Sequence, residues 1–184
     1  MLELVNPFLS QLTVRQVARP LMQRLADDVH GAVSLGVARG TDMIFIESCV
    51  DIRAENARPD VGTTRPMAST AMGRAFLATV GDGRRLGLYE QLQRHAPDRW
   101  PALRAVLEAE RARYLRDAFT VSLGDDGLTL HAVGVAIEVP GQDLPMAFNC
   151  VIAPSRLASG QLEREIGPRL AALAVAVSAG MAPD

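Results

Sequence analysis

The order in which helical and strand patterns follow one another constrains the fold of this chain more than any single motif does. Apolar residues recur every three or four positions from Val14 to Val29, which predicts an amphipathic helix. The segments Ala32–Ala38 and Met43–Val50 then read as two strands joined by a polar loop containing Gly40, as in a β-hairpin. Ser10 or Thr13 is expected to cap the start of the helix.

The remainder of the chain continues this mixed pattern. A long polar connection over residues 51–65 precedes a helix that is predicted to begin after Pro66, with Ser69 or Thr70 as its N-cap. Two more helices are predicted, followed by three strands and a closing amphipathic helix; these lie at Arg84–Arg94, Pro101–Arg116, Phe119–Leu123, Leu128–Val139, Pro145–Ile152 and Leu162–Val177. The regular strand-helix-strand alternation of a parallel sheet is absent, so we predict an α+β fold with helices packed on an antiparallel sheet.

Composition narrows the class of protein. A chain of 184 residues with 48% hydrophobic residues fits one globular domain. Its 19 basic residues, all arginine, and 21 acidic residues give a formal charge of -2, which argues against nucleic-acid binding by this chain alone. The apolar runs fall short of the ~20 residues that span a bilayer, and the two cysteines favour a reducing cytoplasm, so we expect no membrane association.

Motifs of common enzyme classes are missing from the sequence. There is no Gly-x-Ser-x-Gly, His-Glu-x-x-His or Cys-x-x-Cys, and the absence of lysine excludes a P-loop. We therefore predict no cofactor, no metal and no enzymatic activity. Cys49 and Cys150 lie on apolar strand patterns and are expected in the core; a thiol-dependent reductase remains the alternative, which requires their Cα atoms to lie within about 7 Å.

Two segments suggest a ligand site. The start of a helix presents free backbone N–H groups, and at Ser69 and Thr70 it also carries hydroxyls, while Ala71 and Gly73 leave room for close approach. This arrangement suits a carboxylate, although a plain capped helix packed on a sheet explains the same residues. Asn149 on the last strand must find polar partners if it is buried, and a ligand is one such partner.

Segment 62–78, GTTRPMASTAMGRAFLA, resembles a motif of the C-terminal effector-binding domain of the IclR family of bacterial transcriptional regulators. That family has Gly, then Pro-Leu or Pro-Met, then Gly-Lys/Arg-Ala-x-Leu-Ala at these places. The strands around Val135–Val139 and Ala147–Pro154 agree more loosely. The resemblance implies a GAF-like antiparallel sheet with helices on both faces, residues 1–12 as a linker remnant, and residues 13–184 as the effector-binding domain.

The resemblance also implies a function for the domain. A small organic or aromatic acid would bind here and modulate DNA binding by an N-terminal winged helix-turn-helix domain that this chain lacks. Homodimers or homotetramers are implied as well, with a GAF-like enzyme or an oligomerisation module as alternatives. The ligand-binding residues carried over from the family pattern are Ser69, Thr70, Ala71, Met72, Ala132, Asn149, Cys150 and Ile152.

Overall fold

Six strands form one antiparallel sheet in a computed structural model that describes residues 5–54, 60–124 and 130–181. The strand order is β3-β2-β1-β6-β5-β4. The helices are α1 (Val5–Val29), α2 (Ala71–Thr79), α3 (Asp82–His95), α4 (Trp100–Asp117) and α5 (Gly167–Gly180), and the strands are β1 (Ala32–Arg39), β2 (Asp42–Val50), β3 (Thr64–Pro66), β4 (Thr120–Leu123), β5 (His131–Ile137) and β6 (Met146–Ile152). In this described part, none of the helices combines the length and apolarity needed to cross a bilayer.

Each face of the sheet carries its own apolar core. Helices α1 and α5 cover one face, where Val33, Phe148 and Leu170 are fully buried. Helix α2 covers the other face with α3 and α4 beyond it, and Met72 and Phe76 fill the space beneath. Alternate residues of a strand point to opposite faces, so every central strand contributes to both cores. The predicted α+β class with helices on both faces is confirmed.

One row of residues crosses five strands on the face that α2 covers. Residues directly opposite each other in an antiparallel pair share a face. A Cβ added at Gly134 would lie 2.2 Å from the carbonyl oxygen of Ala71, so this row points at the first residues of α2. We call it the central row, and its members in order from β2 to β4 are Ser48, Ser34, Asn149, Gly134 and Thr120.

Helix α1 is fastened to the sheet by a buried carboxylate. Glu47 of β2 is only 4% exposed and accepts hydrogen bonds from Arg15 Nε at 3.2 Å and from Arg19 Nη1 at 2.6 Å. Both arginines reach water, so this ion pair avoids the full desolvation cost of two buried charges. It fixes where α1 crosses the second strand.

Several predicted boundaries differ from the structure. Helix α1 begins at Val5, so the expected caps at Ser10 and Thr13 are wrong. The physical reason is that Pro7 falls in the first helical turn, where its missing N–H costs nothing. Strand β3 was not predicted, because three residues are too short to show an alternation. Part of the expected strand Leu128–Val139 lies outside the described residues.

The junction between α1 and β1 is held by a hydrogen bond between His30 and Asp51. His30 ends the helix with a positive φ of 52°, and its Nδ1 lies 2.6 Å from Asp51 Oδ2 at the end of β2. Asp51 also accepts a hydrogen bond from the Arg53 N–H. Burial alone raises the pKa of Asp51, but the hydrogen bonds from His30 and Arg53 outweigh it and hold this pKa below its ordinary value of 3.8.

We expect Asp51→Asn to remove part of the acid sensitivity of the fold. A depressed carboxyl pKa stabilises the folded state above the ordinary pKa, and this contribution is lost as the pH falls through the lower folded value. Urea unfolding should be measured from pH 6 downward. The difference in free energy of unfolding between the wild type and the variant should become smaller below about pH 4. The exposed Asp60→Asn serves as the control, and a constant difference between wild type and Asp51→Asn at every pH would contradict this role.

Candidate ligand-binding site

The start of α2 is shaped by its own hydroxyl residues. Thr70 is the N-cap, with extended backbone angles, and its Oγ1 accepts a hydrogen bond from the Gly73 N–H at 3.1 Å. Ser69 Oγ donates to the Pro66 carbonyl at 3.3 Å. Of the two residues predicted as the N-cap, Thr70 is thus the one that caps the helix. The N–H groups of Ala71 and Met72 begin the helix and have no intrahelical acceptor.

Side chains from β4 and α2 itself tie this helix start to the sheet. Thr120 Oγ1 donates to the Ala71 carbonyl at 2.6 Å, and Ser122 Oγ donates to the Ser69 carbonyl at 3.2 Å. Arg74 is buried, and its guanidinium donates to the carbonyl oxygens of Ala68 and Val121, both at 3.0 Å. Several main-chain carbonyls around the first turn are therefore held in place, which fixes the position of the helix start on the sheet.

Two glycines let main chain come unusually close at this point. A Cβ at Gly134 would lie 2.6 Å from the Met72 nitrogen as well as against Ala71, so α2 rests directly on β5. A Cβ at Gly73 would lie 2.1 Å from the Met67 carbonyl oxygen. The sequence predicted that Gly73 leaves room for a ligand; this is wrong, because the backbone before the helix occupies that space.

The polar centre of the site is Asn149. The residue is 5% exposed, and its Oδ1 is buried without a hydrogen-bond partner among the described residues. On one side its neighbour in the central row is Gly134, beneath the start of α2. On the other side is Ser34, whose hydroxyl lies 3.1 Å from the hydroxyl of Ser48. A buried acceptor left unpaired costs about 1–3 kcal/mol, so this atom requires an explanation.

An apolar region adjoins the polar centre. Met72 covers β1 so closely that a Cβ at Gly36 would lie 2.5 Å from its sulfur. Phe45 and Phe76 belong to the same buried cluster, together with Met67. Thioether side chains adapt readily to neighbouring shapes, which suits them to line a ligand site.

The structure brings together six of the eight predicted ligand residues and separates the other two. Ser69, Thr70, Ala71 and Met72 form the start of α2, and Asn149 lies beneath it; Ala132 lies on the same face, two residues before Gly134. Cys150 and Ile152 point to the opposite face and are buried against the helices α1 and α5. The alternation of a strand makes this separation unavoidable for adjacent residues such as Asn149 and Cys150.

The two cysteines are not placed as a redox pair. Cys49 and Cys150 both lie opposite Val33, one on each side of β1, so two strand spacings of about 4.8 Å separate their Cα atoms. A disulfide needs less than about 7 Å. Burial raises the pKa of Cys150 to about 12 and also raises the pKa of Cys49, so both thiols stay protonated. In addition, no group of three or more potential metal ligands occurs among the described residues.

A groove lies away from the start of α2, at the far edge of the sheet. It has a volume of about 590 Å³ and lies between the end of α4, the edge of β5 and α5. Its lining is mostly apolar, and the Tyr114 hydroxyl there already donates to the Ala136 carbonyl. The groove therefore offers little to an anionic ligand.

Comparison with known proteins identifies the family. A family model described as "Bacterial transcriptional regulator IclR C-terminal" matches residues 7–179. The chain belongs to the IclR C-terminal family. It is 23% identical over 173 residues to the HTH-type transcriptional regulator TsaQ1/TsaQ2 of Comamonas testosteroni, covering 93% of this chain and 62% of that protein. It is 29% identical over 180 residues to the Pca regulon regulatory protein of Pseudomonas putida, covering 97% and 54%.

Solved IclR-family structures share the fold. An IclR family transcriptional regulator from Brucella abortus aligns with a TM-score of 0.89 and 29% identity, covering 98% of this chain and 68% of that one. An IclR homologue from Microbacterium hydrocarbonoxydans, crystallised with 4-hydroxybenzoate, aligns with a TM-score of 0.73 and 20% identity, covering 93% and 69%. The chain spans between half and two thirds of the length of the two curated relatives.

Proposed function

We propose that this IclR C-terminal domain senses a small organic acid, which it binds between the start of α2 and the central row. Binding would then regulate DNA recognition by an N-terminal domain outside this chain. The observation that carries the proposal is Asn149, a buried amide whose oxygen lacks a partner at the place where a helix start meets the sheet. A ligand that supplies the missing bond would explain why the protein keeps such an atom at a cost in stability.

The helix start supports the acidic character of the ligand. The N–H groups of Ala71 and Met72 and the positive end of the helix dipole favour an anion. Thr70 and the Arg74, Thr120 and Ser122 contacts fix their positions before a ligand arrives. Because these groups are already in place, binding a ligand costs less conformational entropy, and the affinity for the ligand is higher.

Relatives support the same proposal at the level of the whole protein. A structural neighbour was crystallised with 4-hydroxybenzoate, and both curated relatives are regulatory proteins. We propose that the complete protein acts in the cytoplasm as a homodimer or homotetramer and works by binding rather than catalysis. The ligand would shift the balance between assembled states only to the extent that it binds them with different affinities.

Filling the site should weaken ligand binding without unfolding the domain. Isothermal titration with benzoate, 4-hydroxybenzoate, lactate and propionate is expected to detect at least one ligand for the wild type. Ala132→Leu adds three carbons beside the central row and should weaken that ligand at least tenfold by occupying its space. Ala172→Leu on the exposed face of α5 is the matched control. Equal ligand affinities for both variants would show that the ligand does not bind at this face of the sheet. If no acid from a broad panel binds the wild type, the proposal is refuted.

A further inference from the structure

The surroundings of Asn149 define which chemical group the ligand must bring. The amide oxygen is an acceptor, so only a hydrogen-bond donor satisfies it. Within the central row, Ser34 places its hydroxyl next to that of Ser48, and Gly134 has no side chain to offer. Neither neighbour in the row supplies a donor to Asn149, which leaves that role to the ligand.

The kind of donor follows from the charges in the row. Its polar members carry hydroxyls and one amide, and none carries a carboxylate. An ammonium group buried here would lack a counter-charge, which costs far more than burying a hydroxyl that makes a hydrogen bond. A neutral donor therefore fits Asn149, and in a small organic acid the simplest neutral donor is a hydroxyl.

The fold also limits the distance between this hydroxyl and the acid group. Gly134 lies directly beneath the Ala71 carbonyl and the Met72 N–H, and Asn149 is its partner on the adjacent strand. Neighbouring strands lie about 4.8 Å apart. A ligand with its carboxylate at the helix start and its hydroxyl at Asn149 would therefore need to span about one strand spacing.

We infer that the ligand of this domain is a hydroxy acid, and that Asn149 is the residue that selects it over the same acid without the hydroxyl. The inference rests on the proposed function and adds the substrate class to it. Sites built around a buried hydrogen bond discriminate strongly against analogues that lack it, because the protein group is then left unpaired. Asn149 acts in this way as a specificity-determining residue.

Matched pairs of acids test the inference. Binding of lactate and propionate, 3-hydroxybutyrate and butyrate, and 4-hydroxybenzoate and benzoate is measured by titration calorimetry for the wild type and for Asn149→Leu, a substitution of similar size. We expect the hydroxylated member of at least one pair to bind the wild type at least tenfold more tightly. In Asn149→Leu that ratio should fall below threefold, mainly because the hydroxylated acid loses affinity.

Further measurements separate the possible failures. Asn149→Leu removes a buried unpaired oxygen, so its thermal midpoint without ligand should equal or exceed that of the wild type. If Asn149→Leu does not fold, Asn149→Ala, which also lacks an acceptor, replaces it in the comparison. Equal affinities within every pair for the wild type, or a ratio that persists in both variants, would overturn the inference while leaving acid binding intact. If no acid of any pair binds the wild type, the proposed function fails and the inference fails with it.

Discussion

Gly134→Ala should lower the free energy of unfolding by about 3 kcal/mol, at the upper end of the usual cost of overpacking. The added methyl group would lie 2.2 Å from the Ala71 carbonyl oxygen and 2.6 Å from the Met72 nitrogen. Both are main-chain atoms, so no side chain can turn away, and α2 must lift from the sheet. The thermal midpoint should fall by roughly 6–12 °C for a domain of this size, measured by calorimetry.

Gly87→Ala is the matched control for this substitution. Gly87 lies inside α3, and a Cβ added there meets no atom within 4 Å. Alanine in a helix interior is favoured over glycine by about 0.5–1 kcal/mol, so this variant should be slightly more stable than the wild type. If Gly134→Ala were as stable as Gly87→Ala, the close approach of α2 to β5 would be wrong.

Arg74→Met should cost about 2–4 kcal/mol, since two buried carbonyl oxygens each lose a charged donor. The guanidinium spans the Ala68 and Val121 carbonyls, which join the turn before α2 to β4. Methionine keeps much of the apolar bulk but supplies no donor. Urea unfolding measures the loss, and Arg74→Lys should also be destabilised because a single ammonium cannot reproduce the planar fork.

The exposed Arg84 provides the control for that experiment. Arg84→Met removes the same charge from the surface of α3 and should change the free energy of unfolding by less than about 0.5 kcal/mol. A similar small effect for Arg74→Met would show that its two hydrogen bonds do not hold the turn. If folded Arg74→Met also binds the ligand more weakly than the wild type does, the result would support a role for Arg74 in preorganising the helix start.

Much of the fold could be predicted from periodicity, and the exceptions have physical causes. The hairpin of β1 and β2 and the closing helix follow directly from apolar spacing, and the predicted fold class is confirmed. The start of α1 was missed because polar residues such as Ser10 are tolerated inside a helix when nothing breaks it. Strand β3 owes its existence to pairing with β2, which no local pattern records.

The site was harder to predict than the fold. The helix start at Thr70 was visible because capping is local chemistry. Ser34, Thr120 and Gly134 were missed because only the register of β1, β4 and β5 brings them beneath α2. Cys150 was carried over from a family pattern, and the alternation of β6 places it on the other face from Asn149.

Glu47 and Ser48 are consecutive residues of β2, and this adjacency has a mechanical consequence. Ser48 belongs to the central row beneath α2, whereas the Glu47 carboxylate holds Arg15 and Arg19 of α1 on the reverse side. The sheet is a single layer of main chain, so any displacement of Ser48 also displaces the anchor of α1. One peptide unit therefore joins the central row to the ion pair that holds α1, so a shift of the main chain at Ser48 is felt directly by the first helix.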